Sequence, residues 1–286
     1  MSLKCSLFIW FILHASLKEV NAQRIDRNRS VYSNLVALWD FDKPIQKGWN
    51  SSISKNHFLA FGGMPVDQVF DSDLKRKVAD FKDSTWLKLP RENLGELNIF
   101  GKDAKLTVMA LVNKRSEKTW QAIAGVWDES RSKRQYYMFL NASSKTHQDE
   151  MKRYPSQGRL HGHISALGGK TPGEVAWISY ASSKESIPEK TWVWISMTYD
   201  GKEIKVYVNG KLDKDPLTNP FNYEAGIYDG GVDGADFTVG ANSVANRMTN
   251  QFIGRMAYLA VFKKDLTGKE IQGFQENLFS IQQDDR

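Results

Sequence analysis

WVWISMTYDGKEIKVYVNGKL, residues 192–212, holds two runs in which apolar and polar side chains alternate, with Asp200-Gly201 between them and Asn209-Gly210 after the second. Both dipeptides accept the positive φ that a tight hairpin turn demands, so the stretch predicts a meander of consecutive antiparallel strands. Trp192 and Trp194, two apart, share one face of the first strand and read as core rather than as a sugar platform. Outward from this stretch, short β-rich runs recur at residues 35–41, 105–112, 121–127, 135–141, 159–167 and 175–181, then at 236–241 and 256–262. Bounded by Gly, Pro, Asn and Asp, they predict an all-β protein, a sandwich or barrel of antiparallel strands. Only the C-terminus reads as helical: Thr267-Gly268-Lys269-Glu270 fits a capping box, and Leu266, Ile271, Phe274 and Leu278 recur at helical spacing.

The chain has 286 residues, 41% hydrophobic and 25% charged, a composition that builds a core, and neither a repeat nor a linker divides its body. Its N-terminus carries an early lysine, an apolar run from Cys5 to Leu13 and then Val20-Asn21-Ala22, which reads as a secretory signal over residues 1–22. A polar lead-in (23–33), one domain (34–280) and a tail (281–286) follow. The expected location is secreted or periplasmic, with no membrane span once the signal is removed. Cys5 is the only cysteine, so the mature chain has no thiol and relies on its core, helped by a bound cation, rather than on disulfides. Sequons at Asn28, Asn50 and Asn141 matter only in a glycosylating host. The net charge of +6 is dispersed, with small clusters at residues 75–77, 131–134 and 263–264. A mildly basic exported protein favours an acidic polysaccharide, and no basic stripe or recognition motif suggests nucleic acid.

RLHGHISALGG, residues 159–169, spends two of the five histidines on positions two apart in a strand-like run. Pleat alternation puts His161, His163 and Ser165 on one face and Leu160, Gly162, Ile164 and Ala166 on the other. The apolar set faces the core, so the histidines face out, with Arg134, Gln135, Tyr136 or Tyr137 of the preceding strand alongside. His161, His163, Arg134, Gln135, Tyr137 and Trp127 are therefore the expected ligand contacts. Three chemistries are open to them. Arginine and histidine bind a uronate carboxylate; His163 with Tyr137 removes a sugar-ring proton, which is lyase chemistry; and two histidines chelate a transition metal. Ordinary surface polarity is the fourth reading.

The turn at residues 229–236, DGGVDGAD, is acidic and glycine-rich. Asp229, Asp233 and Asp236, with glycine carbonyls and with Asp40 or Asp42 of the first strand, supply the oxygens that calcium wants, although the spacing is not that of an EF-hand. The alternative is aspartates bonded to their own backbone. Trp49, Trp120, Trp127 and Tyr154 lie near loops, where they either stack on sugar rings or pack the rim. A hydrolase of the paired-carboxylate kind is disfavoured, because no Glu-x-Asp occurs. Gly169-Lys170-Thr171 is not a phosphate loop, since Ile164 stands where its first glycine belongs.

Residues 192–212, followed by DFTVGA (236–241) and FIGRMAYLAVFKKDLTGKEI (252–271) and preceded by LVALWDFD (35–42), resemble the laminin G-like branch of the concanavalin A-like lectin and glucanase superfamily. The resemblance runs from about Leu35 to Phe274. GHIS (162–165), GGKTPG (168–173) and IYDGGVDGADFTVGA (227–241) are similar to a group of exported bacterial laminin G-like proteins. The resemblance implies a two-sheet antiparallel jelly-roll sandwich with a short C-terminal helix and one concave face, which often binds glycans and often carries calcium at its rim. The expected function is an exported carbohydrate-binding or adhesion module for an acidic polysaccharide, assisted by calcium. A polysaccharide lyase on the same fold and a protein-binding structural module are the alternatives, since fold does not fix function.

Overall fold

A computed structural model describes residues 31–44, 47–118, 120–141, 158–169 and 180–284, with side chains described up to residue 278. The signal segment, Tyr154 and most of the polar stretch 143–158 lie outside the described residues.

Two antiparallel sheets form the sandwich. The nine-stranded sheet runs, in spatial order, Lys211–Leu212, Glu203–Val208, Trp192–Tyr199, Leu106–Lys114, Gly254–Phe262, Arg76–Phe81 and Asp67–Asp71. Leu35–Asp40 also pairs with Gly254–Phe262, and Phe221–Asn222 with Glu203–Val208. The ten-stranded sheet runs Tyr180–Ser186, Arg159–Ile164, Lys133–Asn141, Gln121–Asp128, Phe237–Val239, Leu87–Leu89, Phe58–Phe61 and Gly48–Asn50. A hairpin of Asn242–Val244 and Arg247–Thr249 joins it beside Gln121–Asp128.

The meander is as expected. Tyr199 pairs with Ile204 across the Asp200-Gly201 turn, and Val208 pairs with Lys211 across Asn209-Gly210. Asp200 Oδ1 accepts from the Lys202 and Glu203 amides, while Asn209 and Gly210 sit at φ +49° and +72°, the left-handed pair that a primed turn needs. Between the sheets lies one apolar cluster that includes Trp39, Phe41, Phe81, Leu160, Ile164, Met197, Val206 and Phe237. Each such side chain contributes on the order of 2 kcal/mol by leaving water.

A second apolar layer covers the outer face of the nine-stranded sheet. The helix Gly268–Asp284 lays Ile271, Phe274 and Leu278 against Met109, Tyr258 and Phe262. It starts as its sequence predicts, with the Thr267 amide donating to Glu270 Oε2 and the Glu270 amide to Thr267 Oγ1. Trp192 and Trp194 belong to this outer layer and not to the space between the sheets.

Several sequence readings need correction here. Trp49, read as a loop aromatic, is buried in the inter-sheet core, edge-on to Phe41 and Phe61. Arg76, one of the small basic cluster at residues 75–77, is buried: its guanidinium pairs with Asp40, donates to the Tyr258 hydroxyl and lies over the Tyr258 ring. Residues 42–104 carry five strands where none stood out in the sequence. These strands are three to six residues long, too short to carry a periodic signature.

Candidate functional site

The strand Arg159–Ile164 crosses the ten-stranded sheet between Lys133–Asn141 and Tyr180–Ser186. Its pairing sets His161 opposite Phe139 and His163 opposite Tyr137, and on the other side sets His163 opposite Tyr180. Leu160 and Ile164 enter the inter-sheet core, and a Cβ on Gly162 would meet Met197 of the facing sheet at 2.9 Å. Both imidazoles therefore stand on the outer face, as pleat parity requires.

They do not stand in water. His161 is fully buried and His163 is 7% exposed. Around them is an aromatic cluster built from three neighbouring strands and the segment before Gln121–Asp128. Tyr180 stacks on both rings, with centroids 4.3 Å from His161 and 4.8 Å from His163. Trp120 meets both edge-on at 5.8 and 6.0 Å, and Trp127 and Phe139 meet His163 edge-on at 5.7 and 5.1 Å. Trp120 takes a left-handed backbone, φ +55°, which is costly for a bulky residue.

Aromatic rings cannot satisfy an imidazole. Both nitrogens of His161, and Nε2 of His163, are buried with no hydrogen-bond partner among the described residues. Burial, then the neighbouring His163 and Arg159, hold His161 well below the usual histidine range. Burial and the Arg134 guanidinium push His163 down to about 3. Both are thus neutral near pH 7. Each can offer a ligand one donor and one acceptor.

The other expected contacts separate. Arg134 belongs to the cluster: its guanidinium lies 5.7 Å from the centre of the Trp127 ring and 3.6 Å from Glu129, whose other oxygen accepts from Trp127 Nε1 at 3.2 Å. Gln135 does not, because its amide bridges Arg91 and Asn98. Tyr137 lies beside His163, but its hydroxyl is committed to the Thr238 and Ala241 carbonyls at 3.1 and 3.0 Å, and burial raises its pKa. The proton-abstracting pair of His163 and Tyr137 is therefore not assembled, since that phenol is directed along the sheet toward residues 238–241. The sequence reading also missed Phe139 and Tyr180. Alternation along residues 135–141 carried the signal for Phe139, and strand pairing for Tyr180.

The acidic turn holds a different cation from the one expected. Arg91, in a short 3-10 turn, donates from Nε to the Gly231 carbonyl at 2.8 Å and approaches Asp229 at 4.0 Å, while its amide donates to Asp236 Oδ1 at 2.9 Å. Arg131 donates to the carbonyls of Asp233 and Gly234 at 3.2 and 3.3 Å. The glycines make room: a Cβ on Gly234 would stand 2.5 Å from the Arg91 guanidinium carbon. Asp229 also accepts from the Gly231 amide. Among the described residues no three acidic, histidine or cysteine side chains group to hold a metal. In the turn proposed for calcium, the guanidinium groups of Arg91 and Arg131 thus engage the carbonyls of Gly231, Asp233 and Gly234, and Asp236 accepts from the Arg91 amide. Asp40 is likewise taken, by Arg76, and Asp42 accepts from the Lys77 amide.

Among solved structures, the fold is similar to domain 4 of AbnA, a GH43 extracellular arabinanase from Geobacillus stearothermophilus, in complex with arabinotriose, with TM-score 0.56, 14% identity, 84% of this chain and 97% of that one. It is also similar to the binding domain of Paraclostridial Mosquitocidal Protein 1, with TM-score 0.52, 14% identity and 87% of this chain, which spans about half (52%) of that one. A third is the Ruminococcus gnavus IT-sialidase CBM40, with TM-score 0.51, 14% identity, 69% of this chain and 95% of that one. No curated protein matches the chain in sequence. A laminin G family model, described as concanavalin A-like lectin/glucanases superfamily, matches residues 81–272. That match takes in most of both sheets and the start of the C-terminal helix, and the chain belongs to the concanavalin A-like lectin/glucanases superfamily.

Proposed function

We propose that the protein is a glycan-binding module, and that its binding face is the outer face of the ten-stranded sheet around Trp120, Trp127, Arg134, His161, His163 and Tyr180. The observation that carries this reading is the pair of unpartnered imidazoles inside an aromatic cluster outside the core. Leaving a buried polar group unsatisfied costs about 1–3 kcal/mol, and cores rarely retain such groups without a use. Sugars offer what the cluster lacks: hydroxyls for the imidazoles and C–H faces for the indoles. Arg134 adds a charge-assisted partner for a uronate or sialate carboxylate, which fits the basic balance of the chain. Solved structures of similar fold include an arabinanase domain in complex with arabinotriose and a sialidase CBM40, which supports the glycan reading by precedent. Among the described residues no helix is long and apolar enough to cross a membrane; it is the apolar run Cys5 to Leu13 and Val20-Asn21-Ala22 that lead us to take the protein to be exported.

Access to the imidazoles requires one ring of the cluster to swing aside, and we assign this to Trp120, which lies outside the strands and is only partly buried. The test is a glycan array followed by titration calorimetry on the best binder. His163→Ala and Trp120→Ala are expected to weaken it by roughly tenfold or more, about 1.4 kcal/mol. Unchanged affinity in both variants would move the binding face elsewhere.

A further inference from the structure

The loop that joins Gln121–Asp128 to Lys133–Asn141 carries Glu129, whose carboxylate stands beside the face of His161 and His163. Its backbone is fixed. The Glu129 amide donates to the Ser243 carbonyl at 2.9 Å, and the Glu129 carbonyl accepts from the Ser132 amide at 3.3 Å. The side chain, 27% exposed, can therefore turn while the loop stays in place.

Two members of the face meet that carboxylate. Oε1 accepts from Trp127 Nε1 at 3.2 Å, and Oε2 lies 3.6 Å from the Arg134 guanidinium. Because Arg134 also lies over the Trp127 ring, 5.7 Å from its centre, acid, indole and guanidinium close a triangle. Trp127 joins this triangle to His163 by an edge-on contact at 5.7 Å. The second carboxylate near Arg134, that of Asp128, is engaged elsewhere, at 2.7 Å from Arg131 Nε.

Exposure orders the triangle from outside to inside. The Arg134 side chain is 3% exposed, so Glu129 is the outer end of the ion pair. A sugar carboxylate that comes from solvent to Arg134 has to take the place where the Glu129 carboxylate now stands. At 3.6 Å the pair is looser than the roughly 2.7–2.9 Å of a well-formed charge-assisted bond, so an incoming carboxylate has contact to gain. A neutral sugar has no such group to offer and meets the pair as it is. A ligand that must first displace an internal competitor binds more weakly by the fraction of sites the competitor holds. We infer that Glu129 is the internal occupant of a carboxylate subsite at Arg134, and that it sets how far this face prefers acidic over neutral sugars. This rests on the glycan reading of the face and adds to it the residue that governs its charge selectivity.

The test uses the full chain with a galacturonate trimer and a galactose trimer, each titrated by calorimetry well below the unfolding transition. Glu129→Gln keeps the size of the side chain and an acceptor for Trp127 Nε1, whereas Glu129→Ala keeps neither; both remove the charge. Each variant is expected to raise the ratio of galacturonate to galactose affinity by roughly tenfold, because an uncompensated guanidinium favours an anion. A merely structural Glu129 would instead be rescued by Gln, and Ala would weaken both trimers alike. An unchanged ratio in both variants, with His163→Ala still weakening both trimers, would overturn the inference and leave the glycan face standing. Failure of the galacturonate trimer to bind either variant would overturn it as well. If the best binder from the glycan array is then also indifferent to His163→Ala, the face itself falls.

Discussion

The His161 imidazole lies nearly parallel to the Tyr180 ring, with centroids 4.3 Å apart and planes 12° from each other. Stacking of this kind holds an imidazole in place without giving its nitrogens a partner. The ring is therefore kept neutral by its surroundings, and protonation and folding compete.

The sign of the pH dependence follows. Both histidines have native values below the ordinary 6.5, His163 at about 3. Below pH 6.5 the unfolded chain binds protons that the fold refuses, so stability is complete above that pH and falls as the pH drops toward 3. The slope is about 1.4 kcal/mol per pH unit for each imidazole. Urea unfolding at pH 7.5, 6 and 5 should show a midpoint that falls with pH, and a flat profile would mean that the rings are already paired.

His161→Phe keeps the stack on Tyr180 and removes both unpartnered nitrogens. It should stabilise the protein by about 1 kcal/mol at pH 7.5 and by more at pH 5, because one titrating group is gone. The same variant should bind glycan less tightly, since it has lost a donor and an acceptor. Greater stability with undiminished binding would assign His161 to packing alone.

Parity along residues 159–165 was enough to read which face the histidines occupy, because Leu160, Gly162 and Ile164 fit only against the facing sheet. Burial was not legible. It depends on Trp120, Phe139 and Tyr180, which reach the imidazoles through strand pairing and through a loop backbone at φ +55°. The hairpins and the capping box were legible because each is a local pattern with one solution. The surroundings of the acidic turn were not legible for the opposite reason: the guanidinium that meets it, Arg91, comes from 140 residues away. A row of aspartates and glycines states a demand for positive charge and does not say whether a metal or a guanidinium answers it.

Calcium and chelator should therefore leave the melting temperature where it is. Removing Arg91 should lower stability by roughly 2–4 kcal/mol, because Gly231, Gln135 and Asp229 lose a shared donor in a partly buried setting. Thermal unfolding of the wild type with 5 mM-scale calcium or EDTA, a concentration of roughly the upper range for weak extracellular sites, and of Arg91→Ala without either, checks both statements. A rise in melting temperature with calcium in the wild type would restore the metal reading.

Gly162, between the two histidines, offers a control that touches neither. Its missing Cβ faces the other sheet, where an added methyl would stand 2.9 Å from Met197 Cβ and 3.2 Å from a Val206 methyl. Met197 and Val206 are cross-strand partners in the nine-stranded sheet, so neither backbone yields easily. Gly162→Ala should cost about 1–3 kcal/mol by overpacking. The imidazoles project from the opposite side of the same strand, so glycan affinity measured well below the unfolding transition should hold. His163→Phe should give the reverse, weaker binding with little loss of stability, because it keeps the ring contacts and removes an unpartnered buried nitrogen. The two variants sit next to each other in sequence, and their opposite effects would separate the side of the strand that folds the protein from the side that binds. A Gly162→Ala protein that kept its stability would show that the sheets stand farther apart here, and a loss of affinity in a folded Gly162→Ala protein would tie the two faces together.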